Sequence, residues 1–171
     1  EAVGRLAHHH SAVLHALLRG LPDTWIRGNE GVDTWNAVDI VGHLVFAERT
    51  DWMPRVRILL ENGEGRPFDP FDRFAQMKET QGKSLEQLLD DFASLRGESL
   101  AALQALNLEQ KDLQRRGKHP ALGVVTLSEL LAAWNERDLA TLARLLRRLA
   151  DDMTSTPPRR THGGPDASGG F

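Results

Sequence analysis

The chain has 171 residues with 21 basic and 24 acidic side chains, a formal net charge of −3 and no cysteine. This balance does not favour binding to nucleic acid or to an anionic membrane, and the lack of cysteine excludes disulfides, thiolate zinc sites and cysteine nucleophiles. With 40% hydrophobic residues, no apolar run as long as a membrane span and no signal-peptide pattern, the sequence predicts a soluble, cytoplasmic protein.

The first predicted helix runs from Val3 to Leu21, where Gly20 and Pro22 end the apolar periodicity. It contains the run His8-His9-His10. Adjacent helical side chains point about 100° apart, so these three imidazoles cannot converge on one ion from a single helix. We interpret the run as a solvated face or a boundary stretch rather than a ligand cluster.

The second predicted helix begins at Ala37 and extends towards Leu60. Asn36 and Asp39 have the spacing of an N-cap and its reciprocal partner. Pro54 removes one backbone hydrogen bond, which predicts a kink or a break just before it.

One histidine, His43, lies in the apolar middle of this helix. Its neighbours at helical spacing are small or polar, which predicts space beside the ring. Two interpretations stay open: a core histidine that is hydrogen-bonded to a neighbour, or a metal ligand whose partners come from elsewhere in the chain.

The remaining elements follow from capping signals and apolar spacing. The predicted elements are a loop over 62–71, a short helix from Asp72 to Glu79, a third helix from Leu85 to Asn107 and a fourth from Thr126 to Ala150. For His119 we favour a turn residue whose ring caps a helix end over a functional role. Residues 151–171 lack an apolar stripe and are predicted to be a disordered tail after a single domain over 1–150.

Four long amphipathic helices without a strand pattern predict an all-α, antiparallel-type four-helix bundle. The long segment after the second helix means that the connections need not be simple hairpins.

Several motifs together resemble the DinB-like superfamily over roughly residues 5 to 150. They are Thr34-Trp35, Gly42-His43-Leu44 and Glu48-Arg49, then Phe71-Asp72-Arg73-Phe74, and finally His119-Pro120, Leu122-Gly123 and Val125-Thr126-Leu127 leading to Leu131 and Trp134. The resemblance implies an up-down-down-up bundle, frequent homodimers and, in many members, a divalent metal held by three histidines. Members with that site include thiol S-transferases and proposed metal-dependent hydrolases.

The sequence departs from this pattern at two of the three metal positions. The resemblance places one ligand at His43 and two more, four residues apart, at Arg137 and Thr141. A guanidinium cannot ligate a metal and a neutral hydroxyl is a poor ligand for zinc or nickel, so His43 is the one matching residue. Carboxylates that could assist it are Asp39, Glu48, Glu136 and Asp138.

Three functions follow as expectations. In the first, Arg137 replaces the metal cation near His43 and joins Glu48 or Asp138 in a buried, non-catalytic polar network. In another, Arg137 and Thr141 bind a small anionic or carboxylated ligand, with Trp134 as a wall. The alternative is a hydrolase or thiol S-transferase with an altered zinc or nickel site, in which His43 is a general base or the sole histidine ligand. A homodimer is expected, with no nucleic-acid or membrane partner.

Overall fold

The computed structural model describes residues 11–28, 35–72 and 75–155. The helices are α1 (11–18), α2 (Asp23–Ile26), α3 (Ala37–Ala47), α4 (Met53–Asn62), α5 (Ala75–Glu79), α6 (Leu85–Ala105) and α7 (Leu127–Ser155). A π-helical turn, Glu48–Trp52, joins α3 to α4, and two short 3₁₀ turns lie at Gly63–Gly65 and Asp112–Gln114. The histidine run 8–10 and residues 156–171 lie outside the described residues.

The three predicted helix starts carry the expected caps. Asn36 accepts from the backbone N–H of Asp39 at 2.9 Å, while the Asp39 carboxylate accepts from the backbone N–H of Asn36 at 3.1 Å. Ser84 and Gln87 exchange the same pair of bonds at the start of α6. Glu129 closes the start of α7 by accepting from the backbone N–H of Thr126 at 2.7 Å. These side chains satisfy backbone donors that a helix leaves free, which fixes where each helix begins.

Just before Pro54, where a kink or a break was predicted, the structure has a π-helical turn and no break. Proline has no N–H for the intrahelical ladder, and a wider turn before it absorbs the missing bond. The backbone continues as a helix through α3, the π turn and α4. Glu48, Asp51 and Trp52 are buried on this turn, so its inner side carries polar groups into the bundle.

The long helix formed by α3, the π turn and α4 runs parallel to α6. Val41 and Leu88 share one apolar cluster near the start of both helices, and further along the same direction Glu48 contacts Arg96. The last helix, α7, runs antiparallel to them, because Leu127 packs in a cluster with Leu59 whereas Leu145 lies in the cluster with Val41. The chain between α4 and α6 therefore returns along the bundle.

A two-stranded antiparallel hairpin, β1 (Arg116–His119) and β2 (Gly123–Thr126), precedes α7 and was not predicted from the sequence. Pro67 adds a parallel bridge to Lys118, and the backbone N–H of Phe68 donates to the Lys118 carbonyl at 2.8 Å. The hairpin thereby holds the loop after α4 against the end of the bundle. Within the described ranges, no helix combines the length and apolarity that crossing a bilayer needs.

Gly117 in β1 marks the tightest contact of this hairpin with the bundle. A Cβ there would lie 2.9 Å from Phe68 Cζ and 3.0 Å from Leu59 Cγ. We expect Gly117→Ala to lower the free energy of unfolding by about 1–3 kcal/mol, because two buried side chains must move. Gly97→Ala on α6 is the matched control: no described atom lies within 4 Å of its added Cβ. A helix-interior alanine there should stabilise by about 0.5–1 kcal/mol. Urea denaturation measures both, and equal effects would contradict the packing argument.

Candidate functional site

A layer of polar side chains crosses the bundle between its two apolar clusters. On three helices in turn, buried polar residues fall between apolar segments: Glu48 on the π turn, Arg96 and Ser99 on α6, and Thr141 on α7. Burial of such groups is costly unless each finds a partner, so the pairing within this layer decides what it can do.

Glu48 and Arg96 form the centre of the layer. Arg96 Nη2 donates to Glu48 Oε2 at 2.8 Å, and the side chains are 2% and 0% exposed. Trp134 Nε1 donates to the same carboxylate oxygen at 3.2 Å. The carboxylate is thus held from α6 and from α7 at once, which ties three elements of the bundle together.

Aromatic rings and a second guanidinium group pack around the Glu48–Arg96 pair. The Arg96 guanidinium lies 5.0 Å from the Phe92 ring and 5.2 Å from the Trp134 ring. Trp134 stacks on Trp52 with centroids 5.8 Å apart, and the Arg137 guanidinium lies 5.6 Å from the Trp52 ring. Cation–π contacts of this kind are worth about 0.5–2 kcal/mol each, more where water is excluded. Both indoles are buried, whereas Arg137 is exposed, so Arg137 is the part of this group that a solute meets.

A second ion pair joins Asp51 on the π turn to Arg55 on α4. Arg55 Nη2 lies 2.5 Å from Asp51 Oδ1, and both side chains are more than nine-tenths buried. Burial raises the pKa of Asp51, although the charges of Arg55 and Arg137 act in the opposite direction. Burial likewise lowers the pKa of Arg55, against the attraction of Asp51. Two cations therefore act on one carboxylate at this position.

His119, at the end of β1, links the hairpin to this pair. Its Nδ1 accepts from the backbone N–H groups of Ala121 and Leu122, both at 3.1 Å. Its Nε2 lies 3.3 Å from Arg55 Nη1, and its ring meets the Phe68 ring edge-on. The predicted turn role is correct in kind, but the ring closes a β-hairpin turn rather than a helix end.

The protonation of His119 should make stability depend on pH. Burial lowers its pKa below the ordinary 6.5, and the charges of Arg55 and Arg137 lower it further. Between this lowered pKa and 6.5 the unfolded chain binds more protons, so the contribution is present above 6.5 and is lost as pH falls through the folded-state pKa. We expect wild type to lose more stability than His119→Asn between about pH 7.5 and about pH 5.5. Urea denaturation at the two pH values measures the difference, and parallel losses would contradict it.

His43 lies among aromatic rings on the neighbouring part of α3. Its ring centroid is 5.2 Å from that of Trp35 and 5.2 Å from that of Phe71, which also packs edge-on against Phe46. The sequence predicted open space beside this imidazole; the Phe71 ring, which comes from the loop after α4, occupies part of it.

The predicted site residues divide between these groups. Glu48 and Trp134 contact each other in the polar layer, and Trp134 stacks within it instead of lining an open wall. Arg137 lies over Trp52, Thr141 is 5% exposed, and the Asp138 side chain lies outside the described residues. A pocket shared by His43, Arg137 and Thr141 stays a prediction.

Sequence reasoning missed Arg96, Asp51 and Arg55. Arg96 had a visible signal, because it falls four residues after Phe92 and four before Leu100 in an apolar stripe. A cation at such a position predicts a buried ion pair. Its partner could not be predicted, because the sequence does not give the register of α6 against the helix that carries Glu48.

The fold and this site define a four-helix bundle in the up-down-down-up order, with a charged layer at its centre. The sequence matches the DinB superfamily over residues 6–137, and the chain belongs to that superfamily. Its fold is similar to that of YfiT from Bacillus subtilis, with a TM-score of 0.75 at 18% identity over 90% of this chain and 86% of that one. YfiT is described as "a probable metal-dependent hydrolase with an unusual four-helix bundle topology". None of the curated proteins matches the chain significantly.

The donors among the described residues do not fit the metal that the YfiT description implies. Across residues 11–28, 35–72 and 75–155, no three His, Asp or Glu side chains group as metal ligands. The α7 sequence, Leu127–Ser155, contains no histidine. Glu48 is paired with Arg96 at 2.8 Å, and Asp51 is paired with Arg55 at 2.5 Å. A guanidinium this close to a carboxylate would repel a metal ion bound there. Catalytic zinc sites need three protein ligands and an open position, which these residues do not supply.

Proposed function

We propose that this protein is a non-catalytic member of the DinB superfamily that binds a small anionic molecule, with carboxylates as the preferred class. The observation that supports this most strongly is the arrangement of charge in the polar layer, in the Asp51–Arg55 pair and at Arg137. Glu48 and Asp51 face Arg55, Arg96 and Arg137, so the described side chains of this group carry one positive charge in excess.

The excess charge belongs to the side chain that solvent reaches. Arg96 is enclosed with Glu48, and Arg55 is enclosed with Asp51. Arg137 is exposed, and its guanidinium makes a cation–π contact with the Trp52 ring that favours one placement of the planar fork. A guanidinium restricted in this way binds a carboxylate through two parallel hydrogen bonds with little further loss of conformational freedom.

A degenerate metal site is part of the same proposal. The His43 ring lies between the rings of Trp35 and Phe71. Of the two carboxylates nearest in chain order, Asp39 caps the start of α3 and Glu48 is paired with Arg96. Glu48 is also enclosed by Arg96 and Trp134, which separates it from any substrate that it would serve as a general base. The alternative is a metal-dependent hydrolase or thiol S-transferase, in which His43 would be the sole histidine ligand.

The test is a titration of tryptophan fluorescence with small carboxylates such as acetate, succinate and citrate. Bound anions at Arg137 should change the emission of Trp52, because the guanidinium contacts that ring. We expect saturable binding in wild type and a loss of about tenfold or more in affinity in Arg137→Gln, since a charge-assisted pair is removed. Lys111→Gln is the control, because Lys111 is an exposed cation paired with Glu109 and lies outside this group. Equal affinity in wild type and Arg137→Gln would overturn the proposal.

A further inference from the structure

The bonds made by His119 fix which of its nitrogens carries the proton. Its Nδ1 accepts from the backbone N–H groups of Ala121 and Leu122, so Nδ1 is not protonated. A neutral imidazole has one N–H, which must then be on Nε2. His119 therefore presents a donor to the side facing away from its turn.

The Nε2 donor of His119 faces a second donor, Nη1 of Arg55. Arg55 Nη1 lies 3.3 Å from His119 Nε2, and a guanidinium has no acceptor. Two N–H groups that point at each other repel unless an acceptor atom lies within reach of both. We propose that Arg55 Nη1 and His119 Nε2 together bind one oxygen of a small carboxylate or similar oxyanion. This inference rests on the proposed function, because it adds two contacts to the ligand that Arg137 attracts.

The surroundings favour an anion over a neutral acceptor. Of the charges that act on His119, those of Arg55 and Arg137 are positive and both disfavour its protonated form. Asp51 compensates Arg55 on its other side, through Nη2, and leaves Nη1 directed at the imidazole. An oxygen with negative charge beside the two donors would be stabilised by this positive potential, whereas water would gain less.

Both donors are also held in place before a ligand arrives. The Arg55 guanidinium lies 5.7 Å from the Phe68 ring centroid, and the His119 ring meets the same phenyl ring at 6.1 Å. Phe68 is 1% exposed, so it is a fixed support for the pair. In addition, Arg55 Nε has no hydrogen-bond partner among the described residues, so this buried guanidinium retains donor capacity beyond Asp51.

His119→Asn is the informative variant. An asparagine carboxamide oxygen can accept from the backbone two residues on, as Nδ1 of His119 does, but it offers nothing in the place of Nε2. The hairpin turn should therefore persist while the proposed donor is lost. Unchanged backbone NMR signals of Ala121 and Leu122 would verify that the turn is intact.

The experiment uses NMR with acetate as the probe and sodium chloride at equal ionic strength as the reference. We expect the imidazole of wild type to carry its proton on Nε2, its pKa to rise by about one unit in saturating acetate, and the acetate dissociation constant to weaken about tenfold in His119→Asn. A proton on Nδ1, a non-saturating response like that of chloride, or unchanged acetate affinity in His119→Asn would each overturn the inference.

The two proposals fail separately. If Arg137→Gln loses acetate binding while His119→Asn retains it, the proposed function stands and this inference is wrong. If His119→Asn loses binding while Arg137→Gln retains it, the oxyanion site stands and the role given to Arg137 is wrong.

Discussion

Replacing Arg96 with methionine should lower the free energy of unfolding by about 3–5 kcal/mol, because Glu48 would remain buried without its cation. The Glu48 side chain is 0% exposed and its Oε2 accepts from both Arg96 and Trp134. The neutral hydrogen bond from Trp134 Nε1 does not offset the desolvation of a carboxylate. Urea denaturation measures the change.

Two further variants test whether the loss comes from the unpaired charge. Glu48→Gln combined with Arg96→Met removes both charges and keeps an acceptor for Trp134, so we expect it to recover most of the stability. Arg49→Met breaks an ion pair with Glu79 in which the side chains are 45% and 41% exposed, and it should change stability by less than about 0.5 kcal/mol. A double variant as unstable as the single one would show that the charge is not the cause.

Phe68→Ala should lower the free energy of unfolding by a similar amount, about 3–5 kcal/mol. The ring is buried in the cluster with Leu59 and Leu127, and its removal leaves a cavity beneath the hairpin. It also removes the support shared by Arg55 and His119. Phe68→Leu keeps much of the side-chain volume and should lose clearly less stability. Equal decreases in the melting temperature of the two variants would contradict a packing origin.

The parts of the fold that were predictable are those that local chemistry decides. The capping pairs at Asn36, Ser84 and Thr126 need only neighbouring side chains, and Pro54 disrupts its own helix. The tail was predicted to begin at residue 151, whereas α7 continues to Ser155.

The hairpin could not be predicted because its strands show no clear alternation. Arg116–His119 contains one buried residue, Gly117, which contributes no apolar side chain to a pattern. Its pairing depends on the His119 ring in the turn and on the contact of Phe68 with the Lys118 carbonyl. The His119 contacts are local to the turn, but the Phe68 contact is a tertiary one that spacing along the chain does not encode.

The same distinction applies to the candidate site. Arg137 and Thr141 were recognisable as departures from a histidine pattern, and Glu48 as a carboxylate that could assist His43 or join Arg137. The two buried ion pairs, Glu48 with Arg96 and Asp51 with Arg55, differ in whether the sequence could predict them. The second pair has i, i+4 spacing and was within reach of the sequence, but the first joins two helices whose relative register only the structure gives.

The most direct test of a metal-free, cation-rich centre is elemental analysis of untagged protein purified without chelators. The variant His43→Ala is purified and measured in the same way. We expect zinc, nickel and manganese well below one equivalent per chain, and no difference between wild type and His43→Ala. One equivalent of any of these metals in wild type that His43→Ala loses would contradict the account.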